Sequence, residues 1–418
     1  MSGIACIINF SESNKLSSEE IDKLTNSLEF RGKDFSSFLS KGNASFIQCM
    51  FNATKEDLKE ELPKHSKKSN LIIVSDSRLD NRKELVKELN CQNDSVTDSE
   101  LILKSFTKWG ADLVDHLVGA FAFIIYDLKH NKVYAARDHM GLKPLYYRLE
   151  KERLIISSSV DSILSISLCS EIKVSRRRII DYLLFSAGRK GDTFYDGIYK
   201  VPKASILEYS DSELSIKKYF DYSMCQELRL NSEEDYINEF KKVFFEVIES
   251  QLRNPNGRIT SALSGGLDSS SITRTASELN KNNELTSISV LFKGLKEEEF
   301  KKTDELEFMI EAQDTKKFKN VFIDLENTGP ISNLSIFQKY HKGPVPAING
   351  YIHVPMFKKA KELDSRVFLD GFDGDTVVSH GSEVLYEYAK KFRLFKLISE
   401  REKIDKRYNF KTSYSWIL

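Results

Sequence analysis

Apolar residues in the first half of the chain fall in short runs: GIACIINF, ASFIQCMFN, NLIIVSDS, GAFAFIIYD, KVYAARD and RLIISSS. Turn-forming pieces such as HN and KGN separate them. Runs of this length, rich in Ile, Val, Phe and Tyr, predict strands in a largely antiparallel pattern. Two amphipathic helices are predicted among them. DSELILKSFTKWG carries Leu101, Leu103, Phe106 and Trp109 and ends on Gly110, a C-cap residue. RRRIIDYLLFSAG ends in the same way at Gly188.

The pattern changes around DYSMCQELRLNS, residues 221–232. A helix is predicted from Ser232 as N-cap, with acidic residues in its first turn. Its Tyr236, Phe240, Val243, Phe244, Val247, Ile248 and Leu252 recur every three or four residues, which predicts one buried face. RNPNG ends it. RITSAL, LTSISVLF, NVFIDL and RVFLDG then alternate with helical stretches, including one from Ser269, ELEFMIEAQ and VPMFKKAKEL. Such alternation implies a parallel sheet with helices on both faces. The change of pattern divides the chain near residue 225, into 1–225 and 226–418. KEEEFKK, at 296–302, reads as a solvated loop or helix face.

Composition narrows the function classes. A length of 418 residues suits two domains, and 40% hydrophobic residues suffice for sizeable cores. Lys plus Arg equals Asp plus Glu at 62 each, so no overall field draws the chain to nucleic acid or anionic lipid. No apolar run reaches the roughly 18 residues of a membrane span. The start, MSGIACIINF, lacks the basic region of a secretory signal and does not fit the myristoylation pattern. The cysteines Cys6, Cys49, Cys91, Cys169 and Cys225 form no CxxC pair. That excludes the usual zinc spacings and suggests a reducing, cytoplasmic setting.

The strongest chemical signal is LSGGLDSSS at residues 263–271, between the apolar RITSA and the helical ITRTASEL. A strand that runs through glycines into a helix suits phosphate. Glycine permits close backbone approach, and the helix N-terminus presents N–H groups. Ser264, Ser269 and Ser270 add hydroxyl donors beside Gly265 and Gly266. Asp268 belongs next to phosphate only with a cation between them, which makes it a candidate Mg²⁺ ligand. The lysine of the G-x-x-x-x-G-K-[ST] loop is absent. The pattern resembles instead the S-G-G-x-D-S loop of enzymes that split ATP between the α and β phosphates. A second loop, LDGFDGDTVVSHG, follows the apolar RVF. Strand ends of a parallel sheet meet, so Asp373 and Asp375 can approach Asp268.

With these motifs in place, the whole chain resembles the glutamine-dependent asparagine synthetases and their relatives, the β-lactam and lasso-peptide cyclases. SALSGGLDSSS, TSISVLF, TDELEFM and LDGFDGD carry the resemblance in the second half. LEFRGKD, the long segment from TDSELILKSF to GLKPLYY, and TFYDGIYKVPKASILEY carry it in the first. The resemblance implies an αββα sandwich of the Ntn-hydrolase type, then an α/β parallel-sheet nucleotide domain of the PP-loop type. It also implies that Leu263, Ser289, Val290 and Gly371 contact the nucleotide, with ATP and Mg²⁺ as cofactors. Asp375, rather than Asp373, matches the family's metal-binding aspartate.

The chain also departs from the family. The amidotransferase nucleophile is an N-terminal cysteine whose own amine acts as base. Here Ser2 holds that place, and Cys6 cannot replace it from within a strand. The family's N-G-E motif, which grips glutamine, aligns with Asp76, Ser77 and Arg78, while Asp98 is retained. An arginine there repels the ammonium that a glutamate would bind. Phe372 stands where the family carries an acidic residue or tyrosine, and it cannot transfer a proton. The family's catalytic lysine lies beyond this loop; Lys390, Lys391 and Lys396 match nothing and fit a solvated helix face. The terminal YSWIL is apolar.

These features lead to an ATP-dependent, AMP-forming carboxylate–amine ligase that does not use glutamine hydrolysed in its own first half. Its expected substrate is a small-molecule or peptide carboxylate. A homodimer or a completing partner chain is expected, and no nucleic-acid or membrane partner. The rival readings are a nucleotide-binding pseudoenzyme or partner subunit, and a peptide or β-lactam-type cyclase in natural-product biosynthesis. tRNA-modifying chemistry, which shares the loop, fits the neutral charge and missing CxxC poorly.

Overall fold

A computed structural model describes residues 1–11, 16–91, 95–167, 172–186, 188–189, 191–210, 212–280, 284–292, 305–313, 317–326, 328–344, 349–377 and 383–408. KEEEFKK, Cys169 and YSWIL lie outside these residues, as do the side chains of six helical positions, Asp375 among them.

The first half is built on two six-stranded sheets. One orders Tyr199–Lys200, Tyr146–Leu149, Arg153–Ser157, Gly3–Asn9, Ala44–Met50 and Phe35–Lys41, all antiparallel. The other orders Glu213–Lys218, Ser205–Ser210, Lys132–Arg137, Gly119–Asp127, Leu71–Leu79 and Lys64–Ser66, again antiparallel. Strand side chains alternate between faces. Ile4, Cys6 and Ile8 therefore point into a core shared with Ile72, Val74, Ala122 and Ile124 of the facing sheet. Ala5 and Ile7 point the other way, onto Leu24 and Leu28 of the Ser18–Leu28 helix. On the second sheet, Leu71, Ile73 and Phe123 meet Leu101, Ile102 and Phe106 of the Asp98–Trp109 helix. The layers run helix, sheet, sheet, helix. Burial on both faces explains why GIACIIN reads as an unbroken apolar run rather than an alternating one.

Local signals set the helix ends. Asp98–Trp109 opens with a capping box between Thr97 and Glu100 and stops at Gly110, whose φ is 61°. The second predicted helix is shorter than its sequence suggested: it spans Arg176–Leu183, not reaching Gly188. Ser186 N–H donates to Asp181 O (2.8 Å) and Phe185 N–H to Tyr182 O (3.1 Å), closing the end with Phe185 at a φ of 53°. A Schellman-type stop has displaced the glycine one.

In the second half, four parallel strands order Lys319–Asp324, Glu284–Leu291, Arg258–Ala262 and Val367–Leu369. Ile259, Leu263, Leu285 and Leu369 face the helices Glu233–Gln251, Leu267–Leu279 and Leu306–Ala312. Ile288 and Val290 face Met356 and Ala360 of the helix Gly350–Glu362. Both faces are covered, as the alternation predicted.

Ser232 caps Glu233–Gln251 with a capping box to Asp235. The buried face expected along this helix is present only near its C-terminal end. Ile248 is buried, and Phe244 and Leu252 pack against the sheet's core. Tyr236, Phe240, Val243 and Val247 are 43–52% exposed. Periodicity marks the apolar side of a helix but not what lies against it.

Candidate functional site

The first strand of the parallel sheet, Arg258–Ala262, has neighbours on both sides, so its carboxyl end lies where the strand order reverses. This is the position at which open α/β sheets bind ligands. Leu263–Asp268 leaves the sheet here. Gly265 takes a φ of 87°, and a Cβ on it would lie 2.9 Å from Phe308 Cβ and 3.0 Å from Glu305 O. Glycine is required there for conformation and for space alike.

Hydroxyls hold the loop's shape. Ser269 Oγ accepts from Ser264 N–H (3.1 Å) and lies 2.9 Å from Ser264 Oγ, which accepts from Gly266 N–H (3.3 Å). Ser289 is fully buried and donates to Leu263 O (2.6 Å), so its side chain supports the loop from beneath. Ser270 Oγ is buried with no hydrogen-bond partner among the described residues. The Leu267–Leu279 helix begins at Gly266 with no side-chain cap, leaving its first N–H groups open toward the loop.

The second loop packs directly on the first. A Cβ on Gly371 would lie 2.9 Å from Ser269 N and 3.0 Å from Asp268 Cβ. A Cβ on Gly374 would lie 2.5 Å from Asp268 Oδ2 and 2.9 Å from Asp268 Cβ. The sequence placed both loops at one site, and they meet glycine to aspartate. Asp373, at a φ of 63°, is exposed and turns the chain into the Gly374–Val377 helix, which carries Asp375. Among the described residues, no group of three or more His, Cys, Asp or Glu is arranged to hold a metal.

A cavity of about 260 Å³ opens beside the loop, lined by Leu263, Ser264, Ile288, Val290, Met309 and His353 among others. Its walls are mostly apolar, with a few polar groups such as Ser264, Glu305 and His353, as small-molecule sites are. Phe372, two-thirds exposed, meets the His353 ring edge-on at 6.0 Å. His353 carries no motif, and sequence reasoning missed it.

The first half has its own polar pocket, of about 170 Å³, around Ser2, Asp57, Glu60, Asp76, Arg78 and Lys143, with Arg366 reaching it from the second half. Ser2 is buried; its N–H donates to Asp76 Oδ1 (3.1 Å), and its Oγ accepts from Phe51 N–H (3.1 Å). Lys143 Nζ lies 2.7 Å from Asp76 Oδ1, and Arg31 3.9 Å from Oδ2. Burial alone would raise Asp76, but the Lys143 ammonium, the chain's amino group and Arg31 hold it below its ordinary value. Arg31 and Lys143 lie in LEFRGKD and GLKPLYY, two segments that carry the resemblance, though neither residue was assigned a role there. Arg78 does not face a ligand with its terminal nitrogens, which donate to Arg253 O and Ser250 O in the second half. Asp98 accepts from Leu79 N–H (2.9 Å) and pairs with buried Arg82.

Two further carboxylates in this pocket are shifted up. Burial, with Asp98 adding to it, pushes Asp57 up to about 6. Burial pushes Glu60 up to about 7, although the Ser99 N–H and hydroxyl both donate to it. A carboxyl whose folded pKa is raised binds its proton more tightly when folded. Its contribution is present below the unfolded value of 4.5 and is lost as pH rises through about 7. Glu60→Gln is expected to remove this loss, gaining on the order of 2 kcal/mol over wild type at pH 8 relative to pH 5. Urea unfolding at the two pH values checks it.

Residues 1–220 match the family model described as a glutamine amidotransferase domain, and residues 239–414 match the one described as asparagine synthase. The chain belongs to the asparagine synthetase superfamily. An "Asparagine synthetase [glutamine-hydrolyzing] 3" of Bacillus subtilis is 28% identical over 66% of this chain and 45% of its own length. A "Putative asparagine synthetase [glutamine-hydrolyzing] 2" of Methanocaldococcus jannaschii is 26% identical over 70% of this chain and 60% of its own length. The chain thus spans about half the length of the curated relatives it matches. Among solved structures, a glutamine phosphoribosylpyrophosphate amidotransferase of B. subtilis aligns over 88% of this chain and 90% of its own, with a TM-score of 0.38 and 11% identity. No helix among the described residues is long and apolar enough to cross a membrane.

Proposed function

We propose that this superfamily member is an ATP-dependent, AMP-forming carboxylate–amine ligase, divided near residue 225 into an amidotransferase-like and a synthetase-like domain. The observation that carries the reading is the closure of the two loops, with Gly371 and Gly374 against Asp268. ATP fits this site: Ser270 Oγ is an orphaned donor, the helix start is uncapped, and the adjoining cavity is apolar. Ser264, Gly265, Gly266, Ser269 and Ser270 would hold the pyrophosphate portion, and Val290 and Leu263 would flank the base. Mg²⁺ would be held beside them by Asp268, with Asp375 of the second loop proposed as its other carboxylate, and would neutralise charge on the phosphate oxygens.

In this scheme a carboxylate oxygen forms a bond to the α-phosphorus and pyrophosphate leaves. An amine nitrogen then forms a bond to the acyl carbon, AMP leaves with the bonding pair, and the amine's proton passes to solvent. The chain's own groups contribute mainly orientation and charge stabilisation. Phe372 cannot accept the amine's proton. Ser2 in place of cysteine, with Arg78 engaged elsewhere, supports an amine that does not come from glutamine hydrolysed in the first domain.

Incubation with ATP, Mg²⁺, a panel of amino-acid and peptide carboxylates and hydroxylamine tests the reading. Hydroxamate and AMP should form together with one class of carboxylate. AMP without hydroxamate across the panel would reject it. Glutamate release from glutamine, lost in Ser2→Ala, would reject the statement about the amine.

A further inference from the structure

Arg78 lies where the family's glutamine-gripping glutamate aligns, and its guanidinium is engaged across the domain junction. Nη1 donates to Arg253 O (3.0 Å) and Nη2 to Ser250 O (2.9 Å). Ser250 sits in the last turn of Glu233–Gln251, and Arg253 just follows it. The last carbonyls of a helix lack intrahelical donors and carry the negative end of its dipole. The guanidinium satisfies one of them, at Ser250, together with the Arg253 carbonyl just beyond the helix; a glutamate would be repelled. The contact is returned from the other side. Arg253 Nη2 donates to Leu79 O (2.7 Å), and Gln251 Nε2 to Asp80 Oδ1 (3.0 Å). Arg253 also lies 3.4 Å from Glu56 and 3.7 Å from Asp98.

This junction feeds the nucleotide loop. After Arg253, the Asn254 side chain closes a turn by accepting from Gly257 N–H and donating to Leu252 O (2.8 Å). The strand Arg258–Ala262 follows and runs directly into Leu263–Asp268. The partner strand is pinned at the same end. Arg366, immediately before Val367–Leu369, makes a two-pronged contact with Asp34 (2.9–3.0 Å) and lies over the Phe51 ring at 5.0 Å. Ile259 and Val367 are in register. Two adjacent strands are thus gripped by the first domain at their amino ends, and their carboxyl ends carry the two halves of the site.

The geometry points to Arg78 as a positioning residue: the edge of the former glutamine pocket now docks the synthetase domain and fixes the strand that presents the pyrophosphate loop. The docking stands on these contacts alone. Its consequence for ATP rests on the ligase reading.

Hydrogen exchange on the full chain tests the docking without a ligand. In Arg78→Gln, amides of residues 252–266 should exchange about tenfold faster than in wild type, while residues 71–74 and 121–125 keep their protection. Arg78→Lys, which retains charge but not the two-pronged geometry, should fall between them. Arg366→Gln provides a second, milder variant, with faster exchange at 366–371. Unchanged exchange in both glutamine variants overturns the docking. Calorimetric titration with Mg-ATP reads the positioning, and about tenfold weaker binding by Arg78→Gln is expected. Faster exchange with unchanged Mg-ATP affinity overturns the positioning role and leaves the ligase reading intact. A wild-type protein that does not bind Mg-ATP overturns the ligase reading together with the positioning role, and exchange still decides the docking.

Discussion

Gly374→Ala is expected to lower Mg-ATP affinity by about a hundredfold while the protein stays folded. Gly374 has no positive φ and begins a short helix, where alanine suits the backbone at least as well. The added methyl has one consequence: it would stand 2.5 Å from Asp268 Oδ2 and 2.9 Å from Asp268 Cβ. Real Cβ atoms do not tolerate such distances to their neighbours, so the carboxylate or one of the two loops must move. Calorimetric titration against wild type measures the loss, and thermal unfolding checks that the fold survives. Gly329→Ala is the control, because a Cβ there meets nothing within 4 Å. Full affinity in Gly374→Ala would mean that Asp268 is not needed where it stands.

Asp98→Ala is expected to destabilise the first domain by about 3–5 kcal/mol, the usual result of leaving a buried charge without its partner. Asp98 is 1% exposed, and the Arg82 guanidinium that it pairs with is 8% exposed. Its other oxygen accepts from Leu79 N–H, and Arg253 approaches to 3.7 Å. Truncation therefore leaves Arg82 with only the Val96 carbonyl and Glu56 at 3.9 Å, and it loosens the junction. Asp98→Asn retains the acceptor for Leu79 and should cost less. Replacing both members with apolar residues, Arg82→Met with Asp98→Leu, should recover much of the loss, because an apolar pair of similar volume carries no desolvation penalty. Urea unfolding of the four proteins gives the comparison. A loss below about 1 kcal/mol in Asp98→Ala would show that Arg82 finds another partner.

The parts legible in the sequence were those fixed by local physics. Ser232 and Gly110 carry the chemistry of helix ends, and one helix begins and another ends on them. Unbroken apolar runs such as GIACIIN signalled strands because both faces are buried. Gly265 was legible as a loop glycine because its positive φ and close packing are what glycine provides. Between distant segments, only the meeting of the two loops at the strand ends was legible, not their individual contacts. Nothing in GFDGD says that Gly374 abuts Asp268 or that Phe372 meets His353. Nothing in SDSR says that Arg78 turns to a helix end in the second domain, and a residue-type argument read it as a repulsive group in a pocket. The apolar stripe of Glu233–Gln251 shows the same limit, since Tyr236 and Phe240 follow the helical period yet remain exposed.

The central claim is that the two loops activate a carboxylate with ATP. Carboxylate-dependent exchange of labelled pyrophosphate into ATP tests it most directly, since it needs no amine and no product release. Exchange is expected with wild type and at least one carboxylate of an amino-acid and peptide panel, and it should vanish in Asp268→Ala. Tight Mg-ATP binding with no exchange for any carboxylate would contradict the ligase account and leave a nucleotide-binding protein that performs no adenylation.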